Sequence, residues 1–306
     1  MIIASIDIGT NTVLLLVGSV NERTGEITPI LNEYRMPRIG RGLIPGKDIS
    51  NDRIKSLFEV LSDYQQIIVE KKVEKVLITA TNAFRIAANS SHIVDEIKAK
   101  FGYDTNIISG ETEAEYAFLG AVPSFARNKT NLIIDIGGGS TELIIGKNRR
   151  IKYSESFQIG SVSATESYLQ HSPPAPDELM QLDKILHIKF NKIKNKLAPD
   201  LVVAIAGTPT TLVCMIKGLE EFEEASVEGS YLSYRDLFRI TEELKTLDPT
   251  EIKNRFGNVM RGREDIILGG SIILLKIMEL LNLQEVMVSS RGIRYGAIVH
   301  YMMNKK

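Results

Sequence analysis

The chain contains two copies of a short motif in which an aspartate is followed by a glycine turn and small hydroxyl residues. The first copy is Asp7-Ile8-Gly9-Thr10-Asn11-Thr12, and the second is Asp135-Ile136-Gly137-Gly138-Gly139-Ser140-Thr141. Glycines let the backbone approach a ligand closely, and successive N–H groups with Ser or Thr hydroxyls suit phosphate oxygens. The aspartate suits a magnesium ion, bound directly or through water. Two related copies predict two lobes that hold one phosphorylated ligand between them.

Apolar segments flank each motif, which predicts a strand, a tight turn and a second strand. We predict strands over 2–8, 12–20 and 27–36 in the first half, and over 131–136, 141–147 and 150–158 in the second. Segments of helical spacing alternate with further apolar strands after each set. This alternation predicts α/β lobes, each with a largely parallel sheet that opens with an antiparallel meander.

Three carboxylates lie beside the two turns. Asp7 precedes the first turn, whereas Asp135 and Glu142 flank the second and are brought towards each other by its hairpin. Together they are candidates to position Mg²⁺, which would neutralise phosphate oxygens and stabilise the charge that develops on them. Aspartates at strand ends also bond to turn amides, so a purely structural role stays open.

Composition limits the classes of protein to consider. The 306 residues are 43% hydrophobic, enough for one large core or two ordinary ones, and 37 basic residues nearly balance 38 acidic ones. We therefore expect neither nucleic acid nor membrane as a partner. A single cysteine, Cys214, and the absence of a signal-like or membrane-length apolar segment predict a soluble cytoplasmic protein. The four histidines lack ligand spacing, so zinc is not expected.

Five segments of the sequence resemble the exopolyphosphatase and guanosine pentaphosphate phosphohydrolase family (Ppx/GppA). They are 5–12, 80–85, 108–115, 135–142 and 206–211. The resemblance runs from residue 2 to about residue 300 and implies two actin-like (ribonuclease H-like) lobes. Each lobe is expected to be a mixed five-stranded sheet with flanking helices, and the active site to lie in the cleft between the lobes.

The implied domains are an N-terminal lobe over 1–123, which a C-terminal helix over 293–306 would complete, and a C-terminal lobe over 124–292. The implied phosphate-binding residues are Gly9, Thr10, Asn11, Thr12, Gly137, Gly138, Gly139, Ser140, Thr141, Gly207, Thr208 and Arg38. A structural turn or an ordinary helix cap remains the alternative for the glycine segments. Six basic residues are candidates for a path along a long polyanion: Arg38, Arg41, Lys47, Arg263, Arg291 and Arg294.

The resemblance also assigns two residues to the reaction. Arg85 is implied to clamp a phosphate group through paired hydrogen bonds. Glu113 is implied to orient and deprotonate the attacking water, as phosphate hydrolysis requires. Carboxylates in the first turn of a helix are favourable in any protein, so residue type alone leaves Glu111, Glu113 and Glu115 equivalent; the resemblance selects Glu113.

Four positions depart from the family pattern: Glu115, Pro209, Ser290 and Tyr295. We expect them to affect the choice of substrate more than the type of reaction. The leading hypothesis is an Mg²⁺-dependent exopolyphosphatase that releases terminal orthophosphate from inorganic polyphosphate. The alternatives are a guanosine pentaphosphate phosphohydrolase, a non-hydrolytic sensor of guanosine tetraphosphate, and a kinase or ATPase of the actin-like fold. A homodimer is common in the family, although no segment predicts an interface.

Overall fold

The chain folds into two compact units. The computed structural model describes residues 1–193, 199–260 and 262–305. One unit comprises Met1–Gly120 and Gly292–Lys306, and the other comprises Ala121–Arg291. The predicted domain boundaries were 123/124 and 292/293.

The first unit begins with a meander and continues with alternating strands and helices. In order, its elements are β1 (Ile2–Ile8), β2 (Val13–Val20), β3 (Ile27–Arg35), α1 (Asn51–Glu70), β4 (Lys75–Ala80), α2 (Asn82–Ile86), α3 (Ser90–Phe101), β5 (Thr105–Ile107) and α4 (Gly110–Ala121). The first three strands match the three predicted from alternating and continuous apolar patterns.

The second unit repeats this opening. Its elements are β6 (Asn131–Ile136), β7 (Thr141–Lys147), β8 (Arg150–Phe157), α5 (Ser161–Tyr168), α6 (Pro176–Phe190), β9 (Leu201–Ile205), α7 (Gly207–Lys217), α8 (Glu224–Val227), β10 (Ser230–Ser233), α9 (Tyr234–Leu244), α10 (Pro249–Phe256), α11 (Ile267–Leu280) and β11 (Glu285–Val288). The last helix, α12 (Ile293–Asn304), returns to the first unit.

The sheet of the first unit has the strand order β3-β2-β1-β4-β5. β1 pairs antiparallel with β2 and parallel with β4, and β4 pairs parallel with β5. Because side chains alternate along a strand, the sheet has two apolar faces. One face covers a cluster that includes Ile6, Ile8, Leu57 and Tyr64, whereas Ile3 points into a smaller cluster with α12.

The sheet of the second unit has six strands, in the order β10-β11-β9-β6-β7-β8. The α/β class and the mixed sheets are confirmed, but the prediction of five strands in this lobe is wrong. The extra strand is β10, which pairs antiparallel with β11. It consists of four residues, Ser230-Tyr231-Leu232-Ser233, and is therefore too short to produce a clear alternation of apolar and polar residues.

Two helices of the first unit cross at glycines. A Cβ added to Gly296 on α12 would lie 1.8 Å from the carbonyl oxygen of Tyr116 on α4. A Cβ on Gly120 would lie 2.1 Å from the carbonyl oxygen of Gly292. No side chain fits at either point without moving the helix backbones apart. Within the residues that the structure describes, no helix combines the length and the apolar character needed to cross a membrane.

We expect Gly296→Ala to lower the free energy of unfolding by about 3 kcal/mol, the upper end of the usual cost of overpacking, because the obstruction is backbone. Denaturant unfolding measures this change. The control is Gly110→Ala, where an added Cβ meets nothing within 4 Å; that change should be neutral or slightly stabilising. Equal stability of the two variants would contradict the observed helix crossing.

Candidate active site

The predicted site residues of each unit lie at one edge of its sheet. In the first unit β1, β4 and β5 are parallel, so the segments that follow Ile8, Ala80 and Ile107 lie at the same edge. In the second unit β6, β9 and β11 are parallel, which places the segments after Ile136, Ile205 and Val288 at one edge. The carboxyl edge of parallel strands is where α/β sheets bind ligands.

Backbone hydrogen bonds fix the loop after β1 through one N–H group and two carbonyls. Gly9 N donates to Thr12 O at 2.9 Å, and the carbonyls of Thr10 and Asn11 accept from the following segment, from Gly40 N at 2.8 Å and Arg38 N at 3.1 Å. In the described part of the chain, the N–H groups of Thr10, Asn11 and Thr12 have no protein acceptor. The carbonyls are thus held by protein donors, whereas three successive N–H groups have no protein acceptor and suit an anion.

The loop after β6 has the same geometry. Gly137 N donates to Ser140 O at 3.0 Å, and the carbonyls of Gly137 and Gly138 accept from Ser161 N and Val162 N at the start of α5, at 2.9 and 2.8 Å. Among residues 1–193, 199–260 and 262–305, the N–H groups of Gly138, Gly139 and Ser140 have no acceptor. Both predicted phosphate loops therefore contain three successive N–H groups without a protein acceptor among the described residues.

The hydrogen bonds and close packing between α5 and this loop were not predicted. A Cβ on Gly160, the residue before α5, would lie 2.5 Å from the carbonyl oxygen of Gly137. The hydroxyl of Ser163 donates to Gly139 O at 3.3 Å. The Gly160-Ser161-Val162-Ser163 segment is the sequence signal that could have revealed this contact, because glycine followed by serines is typical of a helix start. Thr141 is buried and donates to Ile159 O at 2.7 Å, so its hydroxyl stabilises the loop rather than facing a ligand.

Arg85 and Glu113, which are 28 residues apart, form a direct ion pair. Arg85 Nη1 donates to Glu113 Oε2 at 2.6 Å and to Ile108 O at 3.0 Å. Within the described residues, Nε and Nη2 of Arg85 donate to no protein atom, so they remain available to phosphate oxygens. Burial raises the pKa of Glu113, and the charge and hydrogen bond of Arg85 oppose that rise. A raised carboxylate pKa suits a general base.

The structure separates Glu113 from its acidic neighbours on α4. Glu111 is exposed, and Glu115 faces α12, where its Oε1 lies 3.4 Å from His300 Nδ1. The side chain of Glu113 is only 14% exposed and is held by Arg85. Residue type left the three carboxylates equivalent, whereas burial and pairing distinguish Glu113.

Asp7 is a buried carboxylate near this pair. It is 8% exposed, and its Oδ1 has no hydrogen-bond partner in the part of the chain that the structure describes. Burial, aided by the charge of Glu113, raises the pKa of Asp7 to about 7, although the positive charge of Arg294 opposes the rise. An orphaned buried oxygen of this kind fits a hard cation such as Mg²⁺.

Asp135 and Glu142 face each other across the β6–β7 hairpin, where they are direct cross-strand partners. Both are nearly buried. Glu142 Oε1 also accepts a hydrogen bond from Ser156 Oγ at 2.7 Å. The described residues contain no group of three or more His, Cys, Asp or Glu side chains placed to hold a metal ion. Mg²⁺ commonly binds through one or two carboxylates together with water and substrate phosphates, so this donor set fits it.

The segment after β9 is close-packed. The side chain of Thr208 is buried, and a Cβ on Gly270 would lie 2.3 Å from its Oγ1. A Cβ on Gly207 would lie 2.5 Å from Nε of Arg263, itself a buried side chain. Any contact of Gly207 or Thr208 with phosphate would therefore use backbone N–H groups at the start of α7, rather than the threonine hydroxyl.

Arg38, Arg263, Arg291 and Arg294, four of the six basic candidates, have partners within the protein. Arg294 Nη1 donates to Asn32 Oδ1 at 2.8 Å and to Leu15 O at 3.3 Å, and Arg291 Nε lies 3.5 Å from Glu224 Oε1. The positive charge of Arg294 also lowers the pKa of Asp7. Only the position of Arg294 in the fold reveals this role. Arg38 lies at the first phosphate loop, with φ at +51°, a conformation that non-glycine residues rarely adopt.

The departures at positions 290 and 295 are also explained locally. Ser290 donates from its N–H and its hydroxyl to Glu228 Oε2, at 2.8 and 2.9 Å. An aspartate there would place a second carboxylate against Glu228. Tyr295 is buried in the cluster between α12 and the first sheet, so its role is in packing.

The chain is similar to proteins of known family. The sequence model described as the Ppx/GppA phosphatase family matches residues 18–305. A bifunctional 3-dehydroquinate synthase/phosphatase from Fusobacterium nucleatum is 29% identical over 99% of this chain and 47% of its own length, so the chain spans about half of that relative. Exopolyphosphatase 2 from Mycobacterium tuberculosis is 27% identical over 96% of each chain.

Two further similarities concern substrate and fold. A guanosine-5'-triphosphate,3'-diphosphate pyrophosphatase from Aliivibrio fischeri is 25% identical over 96% of this chain and 58% of its own length. The crystal structure of the Aquifex aeolicus member of the Ppx/GppA family is 29% identical, with a TM-score of 0.85, and the match covers 100% of this chain and 99% of that one. The predicted fold class is thereby confirmed.

Proposed function

Because this chain belongs to the Ppx/GppA phosphatase family, we propose that it is an Mg²⁺-dependent exopolyphosphatase that hydrolyses the terminal phosphoanhydride bond of inorganic polyphosphate. The observation that carries the proposal is the largely buried Glu113–Arg85 pair, at the same sheet edge as a loop whose N–H groups have no protein acceptor. It combines a carboxylate of raised pKa, a guanidinium with free donors and an anion-binding loop, as hydrolysis of a phosphate chain requires.

In the proposed reaction, the two glycine loops bind phosphate oxygens through their N–H groups. Nε and Nη2 of Arg85 donate to the terminal phosphate. Glu113 orients a water molecule and takes its proton as the new O–P bond forms. The P–O bond to the rest of the chain breaks, which yields orthophosphate and a chain shorter by one phosphate. Arg85 Nη1 meanwhile holds the Glu113 carboxylate in place.

Asp7, Asp135 and Glu142 are the residues that would hold Mg²⁺. When bound, the ion would neutralise phosphate oxygens and stabilise the charge that they gain in the transition state. The orphaned Oδ1 of Asp7 and the facing pair Asp135 and Glu142 support this assignment. Each of them contributes a carboxylate, a hard oxygen ligand, at the phosphate loop of its own unit.

We expect the charge on Asp7 to cost stability when Mg²⁺ is absent. The pKa in the fold, about 7, exceeds the ordinary 3.8, so the free energy of unfolding should fall as pH rises from about 4 to 8. The whole shift corresponds to about 4 kcal/mol. Asp7→Asn should remove this decline and be more stable than the wild type at pH 8 in a chelator. Denaturant unfolding across this pH range measures both.

Adding Mg²⁺ at pH 8 should then stabilise the wild type more than Asp7→Asn, since binding to the folded state alone raises stability. An equal pH slope and an equal Mg²⁺ response in the two proteins would refute the role of Asp7. Neither readout depends on turnover.

The second candidate substrate is guanosine pentaphosphate, which the similarity to the Aliivibrio fischeri protein supports. The match to exopolyphosphatase 2 over 96% of both chains supports polyphosphate. The deciding experiment is orthophosphate release with Mg²⁺ from long-chain polyphosphate, guanosine pentaphosphate and ATP in parallel. Preferential release from polyphosphate is expected. Selective release from the pentaphosphate would establish the alternative, and tight guanosine tetraphosphate binding without any release would identify a sensor.

A further inference from the structure

The loop after β6, residues 137–140, is the second phosphate loop, and its three N–H groups without an acceptor among the described residues belong to consecutive peptide groups. In a planar peptide group, the N–H of one residue lies opposite the C=O of the residue before it. The N–H groups of 138–140 therefore share their peptide planes with the carbonyls of 137–139. A donor that holds one of these carbonyls also sets the direction of the N–H group on the other side.

Two of these carbonyls are held by backbone donors of α5. Gly137 O accepts from Ser161 N at 2.9 Å. Gly138 O accepts from Val162 N at 2.8 Å and from Ser163 N at 3.1 Å. Every residue except proline has a backbone N–H, so these two peptide groups keep their donors under most side-chain substitutions in α5.

The third carbonyl is held by a side chain. Ser163 Oγ donates to Gly139 O at 3.3 Å, and within the described residues Gly139 O has no other donor. Ser163 Oγ also accepts from Gly160 N at 2.9 Å and lies 3.4 Å from Gly160 O. Because Gly160 O already accepts from Ala164 N at 2.9 Å, the single hydroxyl proton is better placed on Gly139 O, which would otherwise lack a protein donor.

In the first phosphate loop, backbone donors hold two carbonyls in the same way. Thr10 O accepts from Gly40 N at 2.8 Å, and Asn11 O accepts from Arg38 N at 3.1 Å. These carbonyls share their peptide groups with the N–H groups of Asn11 and Thr12, for which the described part of the chain provides no acceptor. Hydrogen bonds in such a chain polarise one another. A donor to the carbonyl thus both orients the N–H group and strengthens it as a donor.

We propose that Ser163 is a positioning residue for phosphate binding: its hydroxyl fixes the peptide group between Gly139 and Ser140 so that Ser140 N–H donates to a phosphate oxygen of the substrate. The inference rests on the proposed function, because it takes one phosphate of the chain to lie at the second phosphate loop. Glycine at position 139 places little limit on rotation. Without the hydroxyl, this peptide group can turn and direct its N–H elsewhere.

The expected effect is that of one weakened hydrogen bond to an anion. Complete loss of such a bond corresponds to roughly 10–150-fold in affinity. Rotation leaves part of the population in the binding orientation, so Ser163→Ala should lower kcat/KM on polyphosphate by about tenfold. Ser163→Thr keeps the hydroxyl and should retain most of the wild-type kcat/KM.

The direct test follows the backbone amide signals of the second phosphate loop by NMR in ¹⁵N-labelled Glu113→Gln protein, while tripolyphosphate and Mg²⁺ are added. An amide proton that begins to donate to a phosphate oxygen moves downfield, so all three signals of 138–140 should move. When Ser163→Ala is added, the Ser140 signal should largely lose this shift. The signals of Gly138 and Gly139 should keep it, because their peptide carbonyls retain backbone donors.

Ser233→Ala is the matched control for a purely structural effect. Ser233 also lies at a helix start in the second unit, where its hydroxyl oxygen accepts from Asp236 N at 3.0 Å. Loss of this cap should lower stability without changing kcat/KM or the Ser140 signal.

An unchanged Ser140 shift in Ser163→Ala would overturn the proposal. Equal loss of all three amide shifts would overturn it too, because the loop as a whole would then be displaced. If the three signals failed to respond to tripolyphosphate while Ser163 was intact, the phosphate site of the proposed function would itself be refuted.

Discussion

Glu113→Gln is expected to lower kcat on polyphosphate by about 10²–10⁴-fold, the usual worth of a general base, while binding of the chain is largely retained. The amide has nearly the same shape as the carboxylate and can still accept a hydrogen bond from Arg85, so the local packing stays intact. It cannot take a proton from water. Steady-state release of orthophosphate with calorimetric binding separates these two effects.

The pH profile provides a second readout. Because burial raises the pKa of Glu113 above its ordinary 4.5, the acidic limb of kcat/KM should lie above that value in the wild type and be absent in Glu113→Gln. Glu111→Gln, a change at an exposed carboxylate two residues away on α4, is the matched control and should leave the rate and the pH profile unchanged. Near-wild-type turnover by Glu113→Gln would show that Glu113 is not the general base.

Arg85→Ala is expected to have an effect of at least similar size, about 10³-fold or more in kcat, as for other arginines that stabilise a phosphoryl transition state. The change removes the proposed phosphate donors on Nε and Nη2. It also removes the ion pair to Glu113 and the hydrogen bond to Ile108 O. Arg85→Ala should also weaken substrate binding, whereas Glu113→Gln should largely retain it.

Arg85→Ala should also shift the pH profile. The charge and hydrogen bond of Arg85 lower the pKa of Glu113 against the effect of burial, so their loss should move the acidic limb to higher pH. Arg85→Lys keeps the positive charge but lacks the planar guanidinium. It should therefore return the acidic limb closer to its wild-type pH than it returns kcat to its wild-type value. If the limb of Arg85→Ala stayed at the wild-type position, the observed pair would not control the base.

The parts of the structure that follow from local sequence were predictable. The two Asp–Gly hairpins place β1, β2, β6 and β7 within one residue of the predicted bounds, because strand, glycine turn and strand are encoded in consecutive residues. β10 was not predicted, because it does not depend on local sequence. Its four residues become a strand through pairing with β11, and short segments of that kind carry little pattern of their own.

The sequence proposes residues for the candidate site but does not reveal the contacts between them. Residue type and family resemblance select Arg85 and Glu113, yet their 2.6 Å contact depends on how α2 and α4 leave neighbouring parallel strands. The same holds for Arg294, which lies near Asp7 only because α12 packs on the first sheet. Thr208 shows the converse case, since a hydroxyl that suits phosphate is buried against the position of Gly270.

The return of α12 to the first unit has a consequence for synthesis on the ribosome. Residues 121–291 form a continuous unit, which can complete its own sheet and core as soon as it has emerged. The first unit must wait, because Ile3, Leu16 and Val20 are covered by Tyr295, Ile298 and Met302, almost three hundred residues later. Domains often fold in the order of their translation. In this chain the unit that is made first can be completed only after the second, and one apolar face of its sheet stays uncovered until α12 has emerged.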